Sequence, residues 1–197
     1  MTASGLPGSE FRERQHLDPF VKDEFEARTG RRPVSRTLKS EAFPNLGPVD
    51  VVVEQPKLLM ELKWSFEAPG KVFESVWDAI KLSILGPAFG FDHLYIATGA
   101  TVGEWGITES ADLFETGTVD PLEMWSRDLE PRRGPNYGST VGEDLVIGAR
   151  GNQPIEGPRE IEVQRLGSFP VIAGYELVLV SVAGNSELRT WPQADVP

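Results

Sequence analysis

The sequence predicts an α/β fold, a mixed central sheet with flanking helices and a C-terminal β extension. Three observations carry this. Two short apolar runs, Val49 to Val53 and Leu58 to Trp64, are separated by a turn. A helical period follows directly, with Phe73, Val76, Trp77, Ile80 and Ile84 on one face. Two further strand candidates, Glu160 to Leu166 and Tyr175 to Val182, close the chain.

The elements can be taken in order. Residues 1–17 are a polar, charged start without an apolar stretch, so no secretion signal is expected. Asp18-Pro19 suits a helix N-cap followed by proline at N1, and Gly30 suits the position after the helix. Phe20, Val21 and Phe25 form its apolar stripe, and Glu24 falls within that stripe while Glu26 lies opposite. Residues 34–43 are a strand candidate. Glu54-Gln55-Pro56-Lys57 is a turn between the two apolar runs. The second helix spans Lys71 to Leu85 and is expected to end at Gly86-Pro87. Leu94 to Thr98 is a buried strand, and Asp120-Pro121 opens a helix reaching about Leu129. Residues 130–160 are rich in Pro, Gly and polar residues without periodicity, and are expected to form a long functional loop or lid. The organisation expected is a single domain over 1–197, with a core at 18–98, the long loop at 130–160 and the β extension at 160–197.

Composition excludes several classes. The chain has 197 residues, 40% of them hydrophobic and 25% charged, ordinary for a folded domain. No stretch approaches the roughly 20 apolar residues of a membrane helix, so no membrane partner is expected. There is no cysteine, which removes disulfides, thiolate nucleophiles and thiolate metal sites. A cytoplasmic location fits that. The net charge of −11 argues against nucleic acid, because phosphate binding rests on clustered Lys and Arg. Part of that acidity is the kind that binds cations.

Chemistry concentrates on the two runs. Side chains alternate faces along a strand, so Leu58, Met60, Leu62 and Trp64 share one face, and Leu59, Glu61 and Lys63 the other. Asp50 and Val52 share a face of the preceding strand. If the turn pairs Glu54 with Lys57, then Val53 faces Leu58 and Asp50 faces Glu61, since paired numbers keep a constant sum. Directly opposite Cβ atoms lie roughly 4.5–5.5 Å apart. Two carboxylates so placed can share one hard cation at about 2.0–2.6 Å, and repel each other without one. The plainer alternative is a solvent-facing cross-strand ion pair. Sheets of this class are usually covered on both faces, which favours the metal site.

Pro48-Val49-Asp50, ten intervening residues and Glu61-Leu62-Lys63 resemble the PD-(D/E)xK nuclease superfamily, which has the restriction-endonuclease-like fold. The order helix, three strands, helix, strand over residues 18–98 is similar to that core. The resemblance implies a Mg²⁺ site, with Mn²⁺ able to substitute. Asp50 and Glu61 would be its carboxylate ligands, the Leu62 carbonyl a further ligand, and Lys63 the residue that orients or activates the attacking water. Glu24 would join from the first helix. Val49, between Pro48 and Asp50, departs from the tightest form of the motif. The implied activity is phosphodiester hydrolysis, with DNA favoured as the nucleic acid. Lys63 could have a depressed pKa or act as a fixed donor, and both remain open at this point. A non-catalytic module that keeps the fold and binds a protein through its acidic surface is the alternative, and the net charge favours it. A homodimer is left open.

Other features carry plainer readings. Lys71, Glu74, Asp78 and Lys81 lie at helical spacing, expected as a solvated, salt-bridged face, with Asp78 and Lys81 as minor candidates for the site. Arg31-Arg32 and Arg132-Arg133 are basic pairs that could touch phosphate. His16 and His93 lack partners at metal-ligand spacing. No P-loop and no G-x-S-x-G elbow is present.

Overall fold

A computed structural model describes residues 17–39, 45–64, 74–101, 113–129, 138–148, 154–172 and 175–184. Helix α1 is Leu17–Thr29. Strands β1 (Val34–Thr37), β2 (Pro48–Val53) and β3 (Leu58–Trp64) follow. Helix α2 (Glu74–Phe89) crosses to β4 (His93–Thr101). Then come β5 (Gly117–Val119), helix α3 (Pro121–Met124) and a π-helical segment, Trp125–Leu129. Strands β6 (Gly138–Val141), β7 (Asp144–Ile147), β8 (Ile155–Glu156), β9 (Ile161–Ile172) and β10 (Tyr175–Val182) complete the described chain.

The fold is α/β, with a mixed seven-stranded sheet in the order β1-β2-β3-β4-β10-β9-β5. The β3–β4 pair is parallel and the other pairs are antiparallel. Parallel neighbours need a long crossover, and α2 supplies it. The two faces of β3 go to different apolar clusters. Leu58, Met60 and Leu62 pack with Val51, Val53, Ala97 and Phe25 of α1. Leu59 packs with Val52, Ile80, Ile84 and Ile96 in the larger cluster under α2. So α1 covers the face that the sequence marks as wholly apolar, and α2 covers the face that carries Glu61.

Several boundaries differ from the sequence reading, each for a local reason. Helix α2 does not stop at Gly86-Pro87 but runs on to Phe89. Gly86 serves close packing instead, since a Cβ there would lie 2.6 Å from Leu94 Cδ1. The helix ends on Gly90, whose φ is 69°, and Phe91 N–H donates to Gly86 O at 2.8 Å, a Schellman closure. Gly30 ends α1 as expected, with φ 68° and its N–H donating to Glu26 O. The stretch 130–160 is not featureless: β6, β7 and β8 form a separate three-stranded antiparallel sheet. Gly142 and Glu143 form its two-residue hairpin turn, with Gly142 at φ 64°. Leu145, Ile147 and Ile155 join the same apolar cluster as α2, beside Trp125, which meets Trp77 edge-on at 5.9 Å. Phe73, Lys71, His16 and Arg132-Arg133 lie outside the described residues. Among the described residues no helix is long and apolar enough to cross a membrane.

Candidate functional site

The turn at Glu54 to Lys57 fixes the register of β2 on β3. Val53 pairs with Leu58, Val52 with Leu59 and Val51 with Met60. The ladder ends one step short of Asp50 and Glu61, and Asp50 stands near enough to Glu61 to push its carboxyl up. At this point the chain departs from a regular ladder. Val34 pairs with Val52 but Arg36 pairs with Val49, so Asp50 and Val51 together oppose Ser35 in a β-bulge. Bulges re-aim a side chain. Here the Asp50 carboxylate turns toward β3 and accepts the Leu62 N–H at 2.9 Å, in place of a backbone acceptor.

Helix α2 completes the site. Ser75 and Thr98 share a buried hydroxyl hydrogen bond of 2.8 Å, and Thr98 is the register partner of Lys63. That bond holds the first turn of α2 beside Lys63. Asp78 and Lys81 follow on the same side of the helix. Lys63 Nζ lies 3.2 Å from Asp78 Oδ2 and 4.0 Å from Glu74 Oε2. Lys81 Nζ lies 2.5 Å from Glu61 Oε1 and 3.7 Å from Asp78 Oδ1. It also donates to the Pro48 carbonyl at 2.9 Å. Two ion pairs of opposite sense are thus stacked between strand and helix.

This corrects the reading of the Glu74, Asp78, Lys81 stripe as a solvated face. Asp78 is 1% exposed and Lys81 4%. Glu61 is 1% exposed, whereas Lys63 keeps 21% of its side chain in solvent. Solvent therefore reaches the site from the Asp50–Lys63–Glu74 side.

Glu24 is not brought to the site. Its side chain is 50% exposed and pairs with Arg28 at 3.0 Å, one turn along α1. The helix turns Lys22 and Phe25 inward instead, and it covers the opposite face of the sheet. Arg32 is engaged by Asp23 and Glu26, each at 2.8 Å. His93 stacks on Tyr95 at 6.5 Å, at the far end of β4 from Lys63.

The electrostatics follow from burial among like and unlike charges. Glu61 is held well above the usual carboxylate range, by burial first and by Asp78 next, with Lys81 opposing. Asp78 is also raised by burial, against the pull of Lys63 and Lys81. Burial works to lower Lys63, but Asp78, Glu61 and Asp50 outweigh it and hold the ammonium above its ordinary value. Of the two roles open to Lys63, the metal-free site favours the fixed, charged donor.

The set was tested for a cation. Glu61 Oε1 and both Asp78 carboxylate oxygens are buried at ion-pair distance from ammonium groups, yet none completes a hydrogen bond of good angle. Buried charge without hydrogen bonds is costly, and oxygen atoms in this state suit a hard divalent cation. Among the described residues no three His, Cys, Asp or Glu side chains come close enough to hold a metal together. A cation here would be held by two carboxylates with a backbone carbonyl. No protein family, curated protein or solved structure matches the chain.

Proposed function

We propose that the chain is a metal-dependent nuclease of the PD-(D/E)xK kind, hydrolysing phosphodiester bonds with Mg²⁺ or Mn²⁺, DNA being the favoured substrate. The observation that carries it is the bulged end of β2, which brings Asp50 near Glu61 of β3, with Lys63 two residues beyond Glu61. The order helix, three antiparallel strands, crossover helix, parallel strand supports a restriction-endonuclease-like core.

Each residue has a role in that reading. Asp50 and Glu61 would hold the metal, helped by the Leu62 carbonyl that lies between Glu61 and Lys63 in the chain. The Leu62 N–H bond to Asp50 fixes that carboxylate against β3. A bound metal would supply phosphate polarisation and a lowered pKa for water. In this reading Lys63 orients the attacking water or a phosphate oxygen as a charged donor. Asp78 holds Lys63 in place at 3.2 Å.

The test is cleavage of plasmid and single-stranded DNA with Mg²⁺ or Mn²⁺. Asp50→Ala, Glu61→Ala and Lys63→Met should each lower the rate at least about a hundredfold with circular dichroism unchanged. Full activity in folded Glu61→Ala or Lys63→Met would overturn the assignment. One observation favours a second reading, a non-catalytic interaction module: Glu61 and Asp78 are already closed by Lys81 and Lys63. That reading expects no cleavage in the parent and no response to metal.

A further inference from the structure

We propose that the Lys81 ammonium is an exchangeable counter-ion: it fills the oxygen cage of Glu61, Asp78 and Pro48 in the metal-free protein and gives up that cage to a divalent cation. This goes beyond the Asp50–Glu61 pair and rests on the reading of the site as a metal centre.

The geometry is that of a coordinated cation. Three oxygens of three different elements or ends converge on Lys81 Nζ: Glu61 Oε1 of β3 at 2.5 Å, the Pro48 carbonyl at the start of β2 at 2.9 Å, and Asp78 Oδ1 of α2 at 3.7 Å. All are hard donors of the kind that hold Mg²⁺ or Mn²⁺. Glu61 and Asp78 are each 1% exposed, so without a positive charge in the cage two carboxylates would stand buried and uncompensated. The compensation is incomplete in one respect: Glu61 Oε1 and both Asp78 oxygens find no hydrogen bond of good angle. An ammonium needs its N–H bonds aimed at each oxygen, whereas a divalent ion binds by charge at about 2.0–2.6 Å and fills its remaining positions with water. The cage therefore suits a spherical ion better than the group that now occupies it. The Lys81 head sits on a flexible four-carbon stem, so the exchange is a rotation of that side chain.

Exchange has a measurable signature. While Lys81 holds the cage, the metal-competent state is a minor fraction, and apparent affinity falls by that fraction. Removing the ammonium removes the competitor. Calorimetric titration of the full chain with MnCl₂ alone reads this without any substrate. Lys81→Met keeps the stem volume and should bind one Mn²⁺ at least about tenfold more tightly than the parent. Asp78→Asn keeps the shape, loses a ligand charge, and should bind at least about tenfold more weakly. Unchanged or weaker binding in folded Lys81→Met overturns the proposal. If Lys81→Met does not fold, unchanged binding in Asp78→Asn overturns it, as does the absence of Mn²⁺ binding in every folded protein. The two readings fail separately. Tighter Mn²⁺ binding in Lys81→Met with no DNA cleavage by the parent leaves the exchange standing and removes the nuclease. Cleavage by the parent with equal Mn²⁺ affinity in both proteins does the reverse.

Discussion

At the scale of single residues, the site is a contest between burial and charge. The folded state holds the Glu61 and Asp78 carboxyls above the ordinary range, so it keeps protons that the unfolded chain releases. The sign follows from linkage: where the folded state binds more protons, stability falls as pH rises. The stabilising contribution of these two groups is fully present below the unfolded carboxylate range and is lost as pH climbs through their raised values. In chelator, thermal melts should therefore show this contribution declining from pH 5 toward neutrality. Glu61→Gln should flatten that decline, and an unchanged pH profile in Glu61→Gln would show that Glu61 ionises as freely as a surface acid. The register of β2 on β3, with Val53 facing Leu58, was legible in the sequence because a short turn fixes a constant sum. The places of Asp78 and Lys81 were harder to read, because spaced acids and lysines look alike on a wet face and a buried one. A signal was nevertheless present: Val76, Trp77, Ala79, Ile80, Leu82, Ile84 and Leu85 wrap most of the helix, and a helix apolar nearly all round has no wide solvated face. Glu24 was misread for the opposite reason. A stripe of only three apolar residues leaves the helix rotation loosely set, and the rotation that buries Phe25 exposes its neighbour.

At the scale of elements, the strands of the central sheet other than the three-residue β5 were readable as short apolar or β-branched runs, while β5 and the small sheet were not. Its strands are four, four and two residues long, too short to show a period, and it depends on turns and on contact with α3. The hairpin signal was the Gly142-Glu143 pair between Thr140-Val141 and Asp144-Leu145-Val146. Gly138 carries a tighter demand, since a Cβ there would lie 2.7 Å from the Val146 carbonyl oxygen, an atom of the partner backbone that cannot rotate away. Gly138→Ala should cost about 1–3 kcal/mol of stability by forcing β6 from β7. Asp120 caps α3 by accepting the Leu122 and Glu123 N–H groups, so Asp120→Ala should cost about 1 kcal/mol. Urea unfolding of both variants checks these values. A loss below about 0.5 kcal/mol for Gly138→Ala would mean that the hairpin opens without disturbing the core.

At the scale of the whole molecule, the net charge of −11 sets the terms for any polyanion. Long-range attraction to phosphate is absent, so in the proposed nuclease the metal must supply the positive field that most nucleic-acid proteins take from Lys and Arg. Fluorescence anisotropy with a labelled duplex should show binding in Mn²⁺ and none in chelator at physiological salt, and equal binding in both would place the contact away from the carboxylates. The position of β4 has a consequence for the order in which the chain is made. It lies between β3 and β10, and β10 pairs along it from Tyr95 to Thr101. During synthesis β1 to β4 leave the ribosome first, and with them come Asp50, Glu61, Lys63, Asp78 and Lys81. Until β10 emerges, β4 is an unpaired edge carrying Ile96 and Ala97, a template for strands of other nascent chains. The C-terminal hairpin thus acts as a late guard for the sheet edge beside these residues, and a chain ended after residue 148 should self-associate in size-exclusion chromatography although every candidate ligand is present.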